Sequence, residues 1–315
     1  MPAPRDRAQL VRAATLYYVD GYSQAEVAEE IGVSRSNVSR VLAAAREQGI
    51  VDIRINDPYS RVTDLERRIV DRYSLADCCV VPTGDLGDVL SRIGQVGADW
   101  LMENLPGNGG VALSWGSSVQ AIVEAVPSEH THDTLEILPL VGGLSIVDTA
   151  RDGNVLVRLL ASKLGASHRP LHAPAIVGAR STRDAILREQ SINSVLRAAS
   201  KARLAIVGIG SVGHDTSSAL LDAMNLTPDE MRDFRAQGAV GDCCTRYYDA
   251  QGNPVVSAAD DRVVGVDLKT LRSIPTVVGI AAGREKTAGL RGALAGKLLD
   301  VLVIDSVLAQ DLLVE

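Results

Sequence analysis

From Ala76 onward, short runs rich in Val, Ile and Leu alternate with longer amphipathic stretches. No other feature of the 315-residue chain limits its fold as strongly. The apolar runs fall at 78–81, 110–114, 135–141, 175–177, 202–209, 262–268, 275–281 and 301–304 and read as strands. The stretches 88–104, 119–126, 154–164, 184–199, 288–294 and 306–313 carry apolar residues at helical spacing. Strands that are apolar throughout are buried on both sides, which calls for a parallel sheet with helices crossing between successive strands. The expected fold class is therefore α/β, a parallel, Rossmann-like sheet with helices on both faces. Aromatics make up only 3% of the chain, so its core must be built from Ala, Val, Leu and Ile.

The first seventy residues follow a different pattern. Over 22–49 two short helices are expected to meet at a tight turn. Ser23 is placed to cap the first, with Glu26 three residues on completing a capping box. Gly32 ends that helix, and Ser34 caps a second one starting at Arg35. In the second helix Val38, Val41, Leu42 and Ala45 share one face, while Arg35, Ser36, Ser39, Arg40 and Arg46 share the other, with Asn37 at the boundary. A short, polar, partly cationic face suits a recognition helix in the major groove of DNA. An ordinary helical hairpin with a solvated face is the plainer alternative. The small Ala28 at the helix crossing, the Gly32 turn and the Ser34 cap leading into Arg-Ser-Asn favour DNA. The residues expected to contact it are Ser23, Gln24, Ser34, Arg35, Ser36, Asn37, Ser39 and Arg40. A helix over 5–20 would pack behind the hairpin, and the period-two alternation of 50–55 suggests a wing strand that brings Arg54 to a phosphate. Residues 62–73 form an amphipathic helix that connects the two parts and either pairs with its copy in a partner or acts as a solvated spacer. The expected domains are a winged helix-turn-helix over 1–57, a linker helix over 58–75 and a larger domain over 76–315.

Taken over the whole chain, a net charge of −7 argues against nucleic acid, but residues 1–72 hold equal numbers of basic and acidic side chains, so all of it lies in the remainder. DNA contact needs a local cluster rather than a basic protein. So modest a cluster calls for a dimer or larger assembly to bind tightly. No apolar run is long enough to span a bilayer, and MPAPRDRAQL lacks the apolar stretch of a secretory signal, so a cytoplasmic protein without membrane contact is expected. The four cysteines form two adjacent pairs, 78–79 and 243–244, without zinc-knuckle spacing, so reduced buried thiols and no metal are expected.

In parallel sheets ligands bind where loops leave the carboxyl ends of the strands. Four loops have suitable residues: Trp115-Gly116-Ser117-Ser118, Gly142-Gly143, the stretch from Gly208 through Gly210 to Gly213, and 282–286 with its Lys286. The first can hold a phosphate at a helix N-terminus. Lys286 is notable because the chain has only five lysines. Asp242 can accept from sugar hydroxyls or simply cap a loop. Gly208, Gly210 and Gly213 match the spacing of a dinucleotide fingerprint, but His214-Asp215-Thr216 opens no clear helix, and no nucleotide cofactor is expected. The five histidines form no cluster, with His130 and His132 in a polar loop, and no catalytic constellation is evident.

Taken in order, SQAEVAEEIGVSRSNVSRVLAAAREQGIV, ALSWGSS, LPLVGGL, HAPAIV, VGIGS, GAVGDCCTRYYDAQG, IPTVVGIAAGREKTAGLRGAL and VLVID resemble the SorC family of bacterial transcription regulators, often labelled DeoR-like, over nearly the whole chain. The resemblance implies a sugar-binding domain similar in fold to ribose-5-phosphate isomerase and glucosamine-6-phosphate deaminase. It also implies a phosphorylated-sugar effector and homotetramers, dimers of dimers, on paired operator half-sites in double-stranded DNA. It places Ser117 and Ser118 against the sugar phosphate, Asp242 on the sugar, Lys286 on phosphate and Asp152 near the ligand. Val141 departs from the pattern: some members carry a charged residue there, lysine included, and valine can neither form an imine nor pair with phosphate. The expected function is a non-enzymatic, sugar-phosphate-controlled regulator of a carbohydrate operon. The rival is a sugar-phosphate isomerase or deaminase with an added helical domain, which would require a positioned acid and base.

Overall fold

The computed structural model describes residues 7–51, 61–83, 89–128, 131–144 and 152–314. The chain divides into two compact units, Met1–Asp57 and Pro58–Glu315.

In the first unit α1 (Arg7–Ala14) runs into a π-helical turn over Thr15–Val19, followed by α2 (Gln24–Ile31) and α3 (Arg35–Glu47). Leu10, Ala13, Val27, Ala28, Val38, Val41, Leu42 and Ala45 are buried between the three helices. Gly32 adopts the left-handed conformation (φ +66°) that stops α2, and the Val33 amide returns to the Ala28 carbonyl at 3.0 Å. The helix expected over 5–20 instead ends in the wider π-helical turn over Thr15–Val19. Ile50 and Val51 pack on this core. The rest of the expected wing, Arg54 included, lies outside the described residues, as does His130.

The second unit opens with α4 (Thr63–Tyr73) and β1 (Asp77–Val81). Then come α5 (Val89–Asn104), β2 (Gly109–Leu113), α6 (Ser117–Ala125), β3 (Leu135–Pro139), α7 (Gly153–Leu164) and the short β4 (Ser167–His168). Helices α8 (Arg180–Arg188) and α9 (Gln190–Ala199) lead into β5 (Leu204–Ser211), and α10 (Asp215–Ala223) and α11 (Pro228–Ala236) follow it. The chain then makes the hairpin β6 (Ala239–Cys243) and β7 (Arg246–Asp249), followed by α12 (Leu268–Arg272) and β8 (Thr276–Ala281). It ends with α13 (Thr287–Ala295), β9 (Val301–Asp305) and α14 (Ser306–Leu313).

Seven strands form a parallel sheet in the order β1-β9-β8-β5-β2-β3-β4, and the β6–β7 hairpin joins antiparallel to the far end of β5. Strand side chains alternate between two apolar layers. Cys78 and Val80 join the layer containing Leu65, Leu290 and Leu308, whereas Cys79 and Val81 join Ile93, Ile122 and Leu156. All four cysteines are buried free thiols. Burial pushes the Cys79 thiol up to about 12 and Cys78 higher still, which suits packing rather than reactivity.

Several elements differ from the sequence expectation. The apolar stripe of α4 is taken up within its own chain: Leu65 and Ile69 are buried, and the Tyr73 hydroxyl donates to the Leu312 carbonyl at 2.8 Å. The helix expected over 184–199 is broken at Glu189, whose extended backbone (ψ 128°) separates α8 from α9. Residues 175–177 and 262–268 make isolated bridges, such as Ile176 to Val263, rather than ladder strands. Pro174, directly before the first of these segments, offers no backbone N–H with which to extend a ladder. The stretch read as a glycine loop continues β5 to Ser211, and Asp215 does open a helix, α10. Helix α11 has a capping box from Thr227 and Glu230 with Pro228 at its start.

Candidate functional site

In the first unit the outer face of α3 presents Arg35, Ser36, Ser39 and Arg40 to solvent, with Asn37 half-buried beside them. The opposite face is fixed by Val38, Val41, Leu42 and Ala45, so the polar face is held on a packed scaffold. Ser23 makes the expected capping box: its Oγ accepts from the Glu26 amide at 3.3 Å, and Glu26 Oε2 accepts from the Ser23 amide at 2.8 Å. The Ser23 amide, followed by its hydroxyl, holds the Glu26 carboxyl below the usual glutamate range. Gln24, the first residue of α2, is half-buried. Ser34 caps α3 only through its backbone. Its carbonyl accepts from the Asn37 and Val38 amides, while its hydroxyl lies 3.1 Å from Ser36 Oγ and caps no amide. The positive end of α3 therefore faces outward beside Arg35, a suitable place for a phosphate.

The second unit contains a cleft at the carboxyl ends of β2 and β5, with about 540 Å³ of empty space, part of it open to solvent. The chain leaves β2 for α6 on one apolar layer and leaves β5 for α10 on the other, which opens a crevice between the two strands. Ser114 closes its floor, its Oγ accepting from the Gly208 amide at 3.1 Å. Gly116 stands at the N-cap of α6 with φ +114°, a backbone conformation that only glycine adopts easily. Ser117 and Ser118, the first residues of α6, line the cleft, where the amides at a helix start have no partner within the helix. Trp115 lies beside them with its indole N–H buried and without a partner among the described residues.

Asp242 and Lys286 line the same cleft. Asp242, on β6, is only 5% exposed, and its Oδ1 accepts from Ser217 Oγ of α10 at 2.5 Å. Burial pushes its carboxyl above the usual aspartate range, against the pull of the Ser217 hydroxyl, the Lys286 ammonium and the Thr245 amide. Lys286 sits on the 3-10 turn that leads into α13, whereas its neighbour Arg284 is turned away onto Asp311 at 2.8 Å. Cys244 also lines the cleft. It and Thr245 form the two-residue turn between β6 and β7, both left-handed (φ +53° and +65°), a strained arrangement for residues with a Cβ.

The structure thus brings Gly116, Ser117, Ser118, Gly210, Asp242 and Lys286 to one cleft. Among the described residues, Gly142, Gly143 and Asp152 do not line this cleft but stand next to it: a Cβ on Gly153, beside Asp152, would lie 3.9 Å from Trp115 Cβ. Asp152 caps α7, its Oδ1 accepting from the Asn154 amide at 2.9 Å and its Oδ2 from the Leu144 amide at 3.0 Å. A Cβ on Gly142 would lie 2.5 Å from the Ala173 carbonyl oxygen, so that glycine is there for packing. Val141 is buried and bridges to Gly265. Reading the sequence overlooked Ser114, Ser217 and Cys244. Ser217 was hidden because α10 was not foreseen, although a polar run directly after a strand end was the available signal.

A family model for a sugar-binding domain matches residues 57–314, and one for region 4 of sigma-70 matches residues 12–48. The deoxyribonucleoside regulator of Bacillus subtilis is 31% identical over 304 residues, spanning 96% of each chain. The sorbitol operon regulator of Klebsiella pneumoniae is 32% identical over 314 residues, spanning 96% of this chain and 97% of that one. The chain belongs to the SorC/DeoR-like family of sugar-binding transcriptional regulators. The crystal structure of the full-length sorbitol regulator SorC superposes with a TM-score of 0.76 at 30% identity, covering 99% of this chain and 100% of that one. In this SorC-family member the helix-turn-helix lies in the first unit, and the cleft lies in the part that matches the sugar-binding domain.

Proposed function

We propose that this regulator binds operator DNA through α3 and releases or rearranges it on binding a phosphorylated sugar in the cleft. The observation that carries this reading is the meeting of the α6 N-terminus, Lys286 and Asp242 in one cavity. An anion favours the first two, and a buried carboxylate favours a neutral hydroxyl. The amides and hydroxyls of Ser117 and Ser118, with Lys286, take the phosphate, and Gly116 and Gly210 let the chain approach closely. Asp242 accepts from the sugar. On DNA, Arg35, Ser36, Asn37, Ser39 and Arg40 face the major groove, while Ser23, Gln24, Ser34 and Arg54 meet the backbone. Small, locally placed charge fits a cytoplasmic homotetramer, a dimer of dimers on two half-sites, in which the effector shifts the balance between arrangements.

The test is a thermal-shift screen of the purified protein against phosphorylated sugars, paired with a turnover assay on the same compounds. Stabilisation without turnover, together with a change in operator retention, is the expected result. Conversion of a sugar phosphate would instead establish an isomerase or deaminase. A screen without a single stabilising compound would remove the effector assignment.

A further inference from the structure

Among the cleft residues, Ser217 has no part in the scheme above, yet it makes the shortest contact with Asp242. Its Oγ lies 2.5 Å from Asp242 Oδ1, and the two residues are 3% and 5% exposed. The pair fills the space above Gly210: a Cβ there would lie 2.2 Å from Ser217 Oγ and 2.0 Å from Asp242 Oδ1. Tyr247 Oη donates to the Ser217 carbonyl at 3.2 Å, so the first turn of α10 is fixed from β7 as well as from β6. A hydroxyl has one proton, and beside a carboxylate it is the donor. With Oδ1 held by Ser217 and a further bond from the Thr245 amide, Asp242 keeps one orientation, and the lone pairs left over serve whatever occupies the cleft.

We infer that Ser217 is a positioning residue for effector recognition: its hydroxyl fixes the Asp242 carboxylate in the orientation that accepts from a hydroxyl of the bound sugar phosphate. The inference rests on the assignment of the cleft to a phosphorylated sugar. The groups around Asp242 come from every wall: Lys286 ahead of α13, Cys243 on β6, and Tyr247 and Tyr248 on β7. A hydrogen bond with Cys244, then burial, drives the Cys243 thiol up, and burial drives up both phenols, so these three stay neutral. The side chains that favour a charged Asp242 against its burial are Ser217 and Lys286.

The full chain, Ser217→Ala and Ser217→Thr are to be titrated calorimetrically with inorganic phosphate, ribose 5-phosphate, 2-deoxyribose 5-phosphate, glucose 6-phosphate and fructose 6-phosphate, from neutral to mildly acid pH. Ser217→Ala should bind inorganic phosphate as the parent does. It should bind the tightest of the sugar phosphates roughly tenfold or more weakly, the scale of a lost hydrogen bond to a charged group. Its affinity should also fall away at a higher pH than the parent's, because a donor to the charged form is gone. Ser217→Thr should restore both. Parental affinity and pH profile in Ser217→Ala would overturn the positioning role while leaving the cleft assignment standing. Equal weakening of phosphate and sugar phosphate with an unmoved profile would overturn it as well, since that is general damage to the cleft. A parent protein that binds none of the sugar phosphates overturns the cleft assignment, and this inference with it.

Discussion

At Asp242 folding and recognition make opposite demands. Burial raises the folded-state pKa of its carboxyl above the unfolded value near 3.8. A raised pKa means that the group stabilises the fold below the unfolded value and that this contribution is lost as pH rises through the folded value. At neutral pH the buried charge is therefore a cost. Asp242→Asn should raise the melting temperature at neutral pH, with a gain that shrinks on acidification, while sugar-phosphate binding is lost. Scanning calorimetry at the two pH values reads the first effect. A variant less stable at neutral pH would mean that the hydrogen bonds of the carboxylate outweigh its desolvation. Asp242 itself was legible as a candidate because it follows a glycine-rich stretch. Its partner was not, since twenty-five positions separate Ser217 from it and only the β5–β6 pairing brings them together.

At the scale of elements, the cleft depends on how closely α13 approaches β5 and β6. A Cβ on Gly289 would lie 2.2 Å from the Gly210 carbonyl oxygen, and one on Gly241 would lie 2.5 Å from the Gly289 Cα. The Gly289 amide donates to Ser211 Oγ at 3.1 Å, which pins the helix start one turn beyond Lys286. Gly289→Ala must push α13 away from backbone atoms. It should cost about 1–3 kcal/mol, the range for overpacked sites, and weaken phosphate binding by displacing Lys286. Urea unfolding and phosphate titration measure the two effects, and a variant as stable as its parent would show that α13 docks more loosely than these contacts demand. Most helices and strands were legible because their periodicity is strong. The exceptions have local causes. Helix α10 opens with Asp-Thr-Ser-Ser, which gives no apolar signal, and Glu189 breaks a continuous helical pattern through its backbone conformation alone. Asp152 caps α7, a role that in sequence reads the same as a ligand contact.

Across the whole molecule, a regulator is a linkage between two binding events. If a sugar phosphate changes operator affinity by some factor, operator DNA must change sugar-phosphate affinity by the same factor. Titrating the effector with and without a DNA fragment from upstream of the protein's own operon checks this equality, and unequal factors would show that a further equilibrium intervenes. Arg40→Ala should weaken operator binding. If the guanidinium meets a base edge, the loss is about 1–3 kcal/mol for that base pair. If it meets a phosphate, the slope of log affinity against log salt falls by about 1. Unchanged affinity at physiological salt would remove α3 from the interface.

The sequence by itself determined the helix-turn-helix, the α/β class and the family, because each is written in local periodicity, caps and short ordered phrases. Only the tertiary structure decided which loops share a cleft. Strand order and helix docking put Ser117, Asp242 and Lys286 in the lining of one cleft, with Asp152 at the cap of α7 beside it. Periodicity fixes what each segment becomes, but the meeting of distant side chains depends on pairing and packing along the whole sheet, which no single stretch encodes.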